Sequence, residues 1–214
     1  MGKASRLKRE KKAVEATPQP MHQAELWLRA QQARHLFKGL TTPANLSEPV
    51  REFCLSLSDR EPFFIACEPE PWSRLGCCDQ NVVKYIRFMQ AGESVFGYRI
   101  WTGGYSYVEA ESHVIWQAGD VYRDVSFSAE GEDRILFLPV ASDFVGTFAD
   151  VPKKIRRALL KQDVVALRAF EEYEARYVNR VEMPPKDAWN TMQTFEQWQR
   201  GERQGPMPAI HCDH

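Results

Sequence analysis

Apolar residues recur at two different periods along this chain, and the change of period divides it. From Gln23 to Leu40, Leu26, Ala30, Ala33, Phe37 and Leu40 fall three and four apart. That is the spacing of one helix face, and Gly39 stands where such a helix stops. Ser47 can cap a second helix with Pro49 in its first turn, its buried stripe being Val50, Phe53, Cys54 and Leu57. The short run from Pro62 to Cys67 reads as a strand, and Glu68 to Gly76, with two prolines and a closing glycine, as a loop. Asp79 to Gln90 returns to helical spacing, with Val82, Val83, Ile86 and Met89 as the expected core face and Gly92 as the stop. Val95–Trp101, Tyr105–Trp116, Val121–Ser126 and Arg134–Val140 then read as strands of an antiparallel meander. After Pro152 the helical spacing resumes through Ile155, Leu159, Leu160, Val164, Leu167, Phe170 and Tyr173, and ends with Trp189, Met192, Phe195 and Trp198. The pattern predicts an α+β fold. It divides the chain into a basic flexible tail over 1–20, an α+β core over 21–150, a helical extension over 151–204 and a tail over 205–214.

Composition narrows the function classes. With 214 residues, 43% of them hydrophobic, and six tryptophans, the chain can build one sizeable core. A net charge of −1 gives no global steering toward nucleic acid or a membrane surface. No apolar run is long enough to span a bilayer, and no apolar segment follows the first basic residues as in a secretory signal, so a cytoplasmic location is expected. Lys3, Arg6, Lys8, Arg9, Lys11 and Lys12 make a basic run whose simpler reading is a solvated tail and whose functional reading is contact with RNA or a protein partner. The five cysteines are odd in number and include no CxxC pair, which argues against a disulfide framework and a structural zinc site. His211, Cys212, Asp213 and His214 are metal-ligand types, but adjacent ligands on a tail rarely build a defined site. No metal and no cofactor are expected.

The candidate chemistry lies between Cys77 and Ser126. Side chains alternate along a strand. Val108, Ala110, Val114 and Trp116 therefore form a core face, and Glu109, Glu111 and His113 share the opposite, polar face. A two-residue turn at Ala118-Gly119 would pair His113 with Asp124, putting a carboxylate where it can hold the imidazole's tautomer. A thiol at a helix N-terminus is favoured as thiolate by the dipole and the unsatisfied N–H groups. Cys77 and Cys78 are about equally placed for that role on physical grounds. Trp72, Ser73 and Asn81 are candidate oxyanion or support residues, and Glu109, Glu111 and Trp101 candidate substrate-binding ones.

The order of cysteine, histidine and aspartate, with His113-x-x-Trp116 and Asp124-Val125-Ser126, resembles the transglutaminase-like, papain-type thiol fold. More narrowly, Cys78-x-x-Asn81-Val82, Gly97-Tyr98-Arg99-Ile100-Trp101, Glu109-Ala110-Glu111-Ser112-His113-Val114-Ile115-Trp116 and Asp124-Val125 are similar to a group of bacterial proteins of unassigned function. The resemblance implies a papain-like core of a helix and an antiparallel sheet with flanking N- and C-terminal helices. It also implies Cys78, rather than Cys77, as nucleophile, His113 as general base and Asp124 as its orienter.

Two functions follow from this reading. In the first the protein is a cysteine-dependent hydrolase or acyl transferase that opens an amide or ester of a peptide or small amide substrate through an acyl-thioester. In the second it is a non-catalytic interaction module that keeps the fold, its basic tail contacting RNA or a protein partner.

Overall fold

The computed structural model describes residues 23–104, 106–178 and 183–203. The basic N-terminal run and the His211–His214 cluster lie outside the described residues. Helix α1 spans Gln23–Gln32 and continues as a 3-10 turn over Ala33–Phe37. Gly39, at φ +62°, ends this unit as the sequence anticipates. Helix α2 is Glu48–Leu55, and its stripe of Val50, Phe53 and Cys54 is buried. Strand β1 (Phe63–Ala66) is followed by the proline loop, helix α3 (Cys78–Met89), and strands β2 (Glu93–Gly103), β3 (Tyr107–Ala118), β4 (Val121–Arg123) and β5 (Arg134–Pro139). Strand β6 (Lys154–Ala158) and helices α4 (Lys161–Tyr177), α5 (Pro185–Thr191) and α6 (Phe195–Gln199) complete the described chain.

The α+β class is thus present as one six-stranded sheet in the order β1-β5-β2-β3-β4, with β6 also paired to β3, and every strand pair is antiparallel. The register is continuous, without a bulge, from Glu93 opposite Gln117 to Gly103 opposite Tyr107. One face carries Tyr98, Ile100, Val108, Ala110, Val114, Trp116, Leu136 and Leu138. It is closed by Val50, Phe53 and Cys54 of α2 and by Val82 and Tyr85 of α3. Tyr85 meets Trp116 edge to face at 5.3 Å. Gly92 lets α3 turn back onto this face: at φ +88°, it would place any added Cβ 2.2 Å from the Trp116 indole nitrogen.

Three expectations are corrected. Ile155 belongs to no helix: it lies in β6, opposite Ala110 on the β3 edge, and packs against the core. The region after Pro152 therefore begins inside the sheet. A five-residue strand with charged flanks has too little periodicity to separate from the helix that follows it. The core face of α3 is also rotated from the expected one. Asp79, Asn81, Val82 and Tyr85 are buried, whereas Val83 and Met89 are 42% and 44% exposed. The rotation follows from Asn81, whose side chain is drawn inward by the proline loop. Finally, the hairpin turns at Gly119-Asp120, setting Trp116 opposite Arg123 and Ala118 opposite Val121. This shifts the register by two from the one expected.

Candidate functional site

A two-residue slip keeps every side chain on its own face, as a one-residue slip would not. Asp124 therefore still faces the same side as His113, displaced diagonally, and its Oδ2 lies 3.1 Å from His113 Nε2. Both side chains are buried, at 5% and 0% exposure. The buried Nε2 nevertheless makes no hydrogen bond among the described residues, so the pair is a close electrostatic contact rather than an aligned bond. Asp124 is fixed by other contacts. Its Oδ1 accepts from the Ser126 N–H at 2.9 Å, and its carbonyl accepts from the Glu68 N–H at 2.8 Å.

The thiol beside this pair is Cys67. Phe63, Ile65 and Cys67 continue one face of β1, and Cys67 bridges to Asp124. Its Sγ donates to Asp124 Oδ2 at 3.7 Å. Burial, and next the Asp124 carboxylate, push the Cys67 thiol far above its ordinary value and keep it protonated. The His113 ring lies against Phe137, 6.4 Å between centroids. Gly97, opposite His113, makes room for the Phe137 ring: an added Cβ would stand 2.5 Å from the Phe137 edge and 2.3 Å from the Leu138 carbonyl oxygen.

Cys78 stands elsewhere. It occupies the first turn of α3, half-buried, and packs against the apolar cluster that holds Val114 and Trp116. With unbroken alternation along β3, His113 points from the opposite face. Cys78 thus stands with the apolar cluster on the α3 side, while His113 and Asp124 contact each other and Asp124 contacts Cys67. Cys77 is the α3 N-cap and is fully buried, clustered with Ala188 and Met192.

The expected support residues each have partners within the fold. Ser73 is fully buried. Its hydroxyl donates to the Val125 carbonyl at 2.7 Å and accepts from the Glu70 N–H at 3.0 Å. Asn81 Oδ1 accepts from the Arg74 N–H at 2.7 Å, and its Nδ2 donates to the Arg74 carbonyl at 2.9 Å. The amide thus staples the proline loop to α3, and its N–H is also within 3.3 Å of the Ser126 hydroxyl. Trp72 lies beneath Lys84, whose Nζ is 4.3 Å from the ring centroid.

The expected substrate carboxylates form a closed network on the His113 face. Glu109 is buried and accepts from Tyr107 Oη at 2.5 Å and Lys154 Nζ at 2.7 Å, with Arg156 Nε at 3.3 Å. Glu111 accepts from Arg99 at 3.0 Å and the Trp101 indole N–H at 2.9 Å. Burial pushes the Glu111 carboxyl up, but Arg99, Lys154 and the two hydrogen bonds outweigh it and hold it down at about 2. These residues cross-link β2, β3 and β6, so Glu109, Glu111 and Trp101 have their polar groups engaged within the fold. Arg99 is the member that sequence reading passed over. It shares the face of Trp101 by simple alternation, and Glu111 is directly opposite it.

A further concavity of about 630 Å³ lies between α3 and α5. It is lined by Asp79, Gln80, Val83, Lys84, Arg87, Pro185 and Trp189. No group of three or more His, Cys, Asp or Glu suited to holding a metal ion occurs among the described residues, and no helix among them is long and apolar enough to cross a membrane. Compared with known proteins, the chain matches no family model, no curated protein and no solved structure.

Proposed function

We propose that the protein works as a non-covalent binding module and that Cys78, His113 and Asp124 do not act as a triad. The single observation that carries this reading is the distribution of thiols about His113. Cys67, the sulfur on its face of the sheet, is kept protonated by burial and by Asp124, and Cys78 packs on the other face. A nucleophile needs the opposite electrostatics, a cation near sulfur and a base in line with it. The competing reading, a cysteine-dependent hydrolase or acyl transferase acting on an amide or ester, retains one supporting feature. Cys78 is half-buried in the first helical turn, where the α3 dipole favours thiolate.

Iodoacetamide labelling across pH, mapped to each cysteine, tests the choice. The expected result is an ordinary rate at Cys78 that is unchanged in His113→Gln. Cys67 and Cys54 should be protected until unfolding, Cys54 because burial pushes its thiol to about 11. Fast labelling of Cys78 near neutral pH, slowed in His113→Gln, would overturn the proposal in favour of the thiol enzyme.

A further inference from the structure

We propose that the concavity between α3 and α5 is a docking site for an acidic peptide segment that carries an apolar side chain between its carboxylates. The inference rests on the binding-module reading and adds the class of partner.

The groove pairs cations with hydrocarbon. Gln80, Val83, Lys84 and Arg87 of α3 present one helix face to it, and Trp189 of α5 forms the opposite wall. Lys84 Nζ sits 4.3 Å from the Trp72 centroid and 5.1 Å from that of Trp189, and Arg74 lies 5.6 Å from Trp189 on the same wall. Among the described residues, no carboxylate lies within ion-pair distance of Lys84, Arg87 or Arg74. By contrast Arg51, Arg99, Arg123, Lys154 and Arg156 each have one. Among the described residues that line it, the one acidic side chain, Asp79, is buried in the first turn of α3 rather than displayed.

Burial and the neighbouring Arg74 draw the Lys84 amine below its ordinary value, a cost that an incoming carboxylate would relieve. Val83, 42% exposed between these cations, supplies the apolar contact. The complementary partner is thus anionic with an apolar residue at its centre. A nucleic-acid strand fits less well, because Lys84 and Arg74 already lie over the tryptophan rings that a base would need for stacking.

The test uses the full chain and a fluorescein-labelled peptide built of Glu-Glu-Leu triplets, read by anisotropy. Binding should saturate. It should weaken about tenfold or more in Lys84→Gln/Arg87→Gln, in Val83→Asp, and when glutamine replaces glutamate in the peptide. Added salt should also weaken it. All three positions are exposed, so the variants should melt with the wild type. Absence of saturable binding, binding indifferent to these substitutions, or tighter substitution-sensitive binding of a labelled oligothymidylate would each overturn the proposal. Failure here with slow Cys78 labelling removes the acidic-peptide site alone. Fast Cys78 labelling removes the module reading itself.

Discussion

One face of the sheet is closed with hydrocarbon and the other largely with charge. On the α2–α3 side, Phe53, Val82, Ile100, Val108, Ala110, Val114 and Leu136 exclude water by shape alone. On the other, Ile65, Ile115, Ile135 and Phe137 form a small apolar patch, and Tyr107 packs with the 3-10 turn after α1 and with α4. Between them, Arg99, Trp101, Glu109, Glu111, His113 and Asp124 are packed with Lys154 and Arg156. The same strand supplies both faces, since β3 alternates between them residue by residue. The difference shows that a polar face in a strand need not be a wet face. When a later segment covers it, residues with catalytic chemistry become interior ties.

The sharpest way to break this comparison is to delete one side chain from each face. Phe53→Ala removes a fully buried ring, and the expected loss is about 3–5 kcal/mol. Glu109→Ala leaves Lys154, Arg156 and the Tyr107 hydroxyl without their shared acceptor, and a similar loss of about 3–5 kcal/mol is expected. Urea denaturation of both variants checks the pair. A loss under about 1 kcal/mol for Glu109→Ala would mean that the polar face is solvated after all.

Much of the hydrocarbon face was legible in the sequence, because period-two and period-3.6 spacing report burial against a single layer. Val108, Ala110, Val114 and Trp116 were readable in this way, as were Val50, Phe53 and Cys54 of α2. The charged face was legible only in part. Alternation put Glu109, Glu111 and His113 together, but Lys154 and Arg156, which pair with the two glutamates, lie more than forty residues downstream in the chain, and short-range pattern carries no trace of them. The His113–Asp124 proximity survived a wrong turn position because only the parity of the register matters for the face. The Cys78 assignment did not come from parity at all. It came from chain order and resemblance, and neither states which side of the sheet a helix takes.

A change of pH sharpens the comparison without removing atoms. The Glu111 carboxyl is held at about 2 in the fold, below the ordinary 4.5. A depressed carboxyl contributes stability that is fully present above its unfolded value and is lost as pH falls through the folded one. The expected contribution is about 2 kcal/mol after discounting for its partial exposure, disappearing between about pH 4.5 and pH 2. In Glu111→Gln this part of the acid-unfolding profile should flatten. An unchanged slope would show that Arg99 and Lys154 do not act on Glu111 as the geometry requires.

The smallest test concerns the helix on the hydrocarbon side and bears on the groove as well. Val82 and Val83 are neighbours of one residue type, and sequence spacing treats both as core. In the fold Val82 is fully buried, and Val83 lines the α3–α5 groove. Val82→Ala should cost about 2 kcal/mol, and Val83→Ala less than about 0.5 kcal/mol. The inequality depends on the rotation of α3 that Asn81 sets through its bonds to the Arg74 backbone. Asn81→Leu removes those bonds, so it should narrow the difference between the two valine variants as α3 loses its anchor to the proline loop. Equal costs for Val82→Ala and Val83→Ala in the otherwise unaltered chain would put Val83 in the core and leave the groove without its apolar floor.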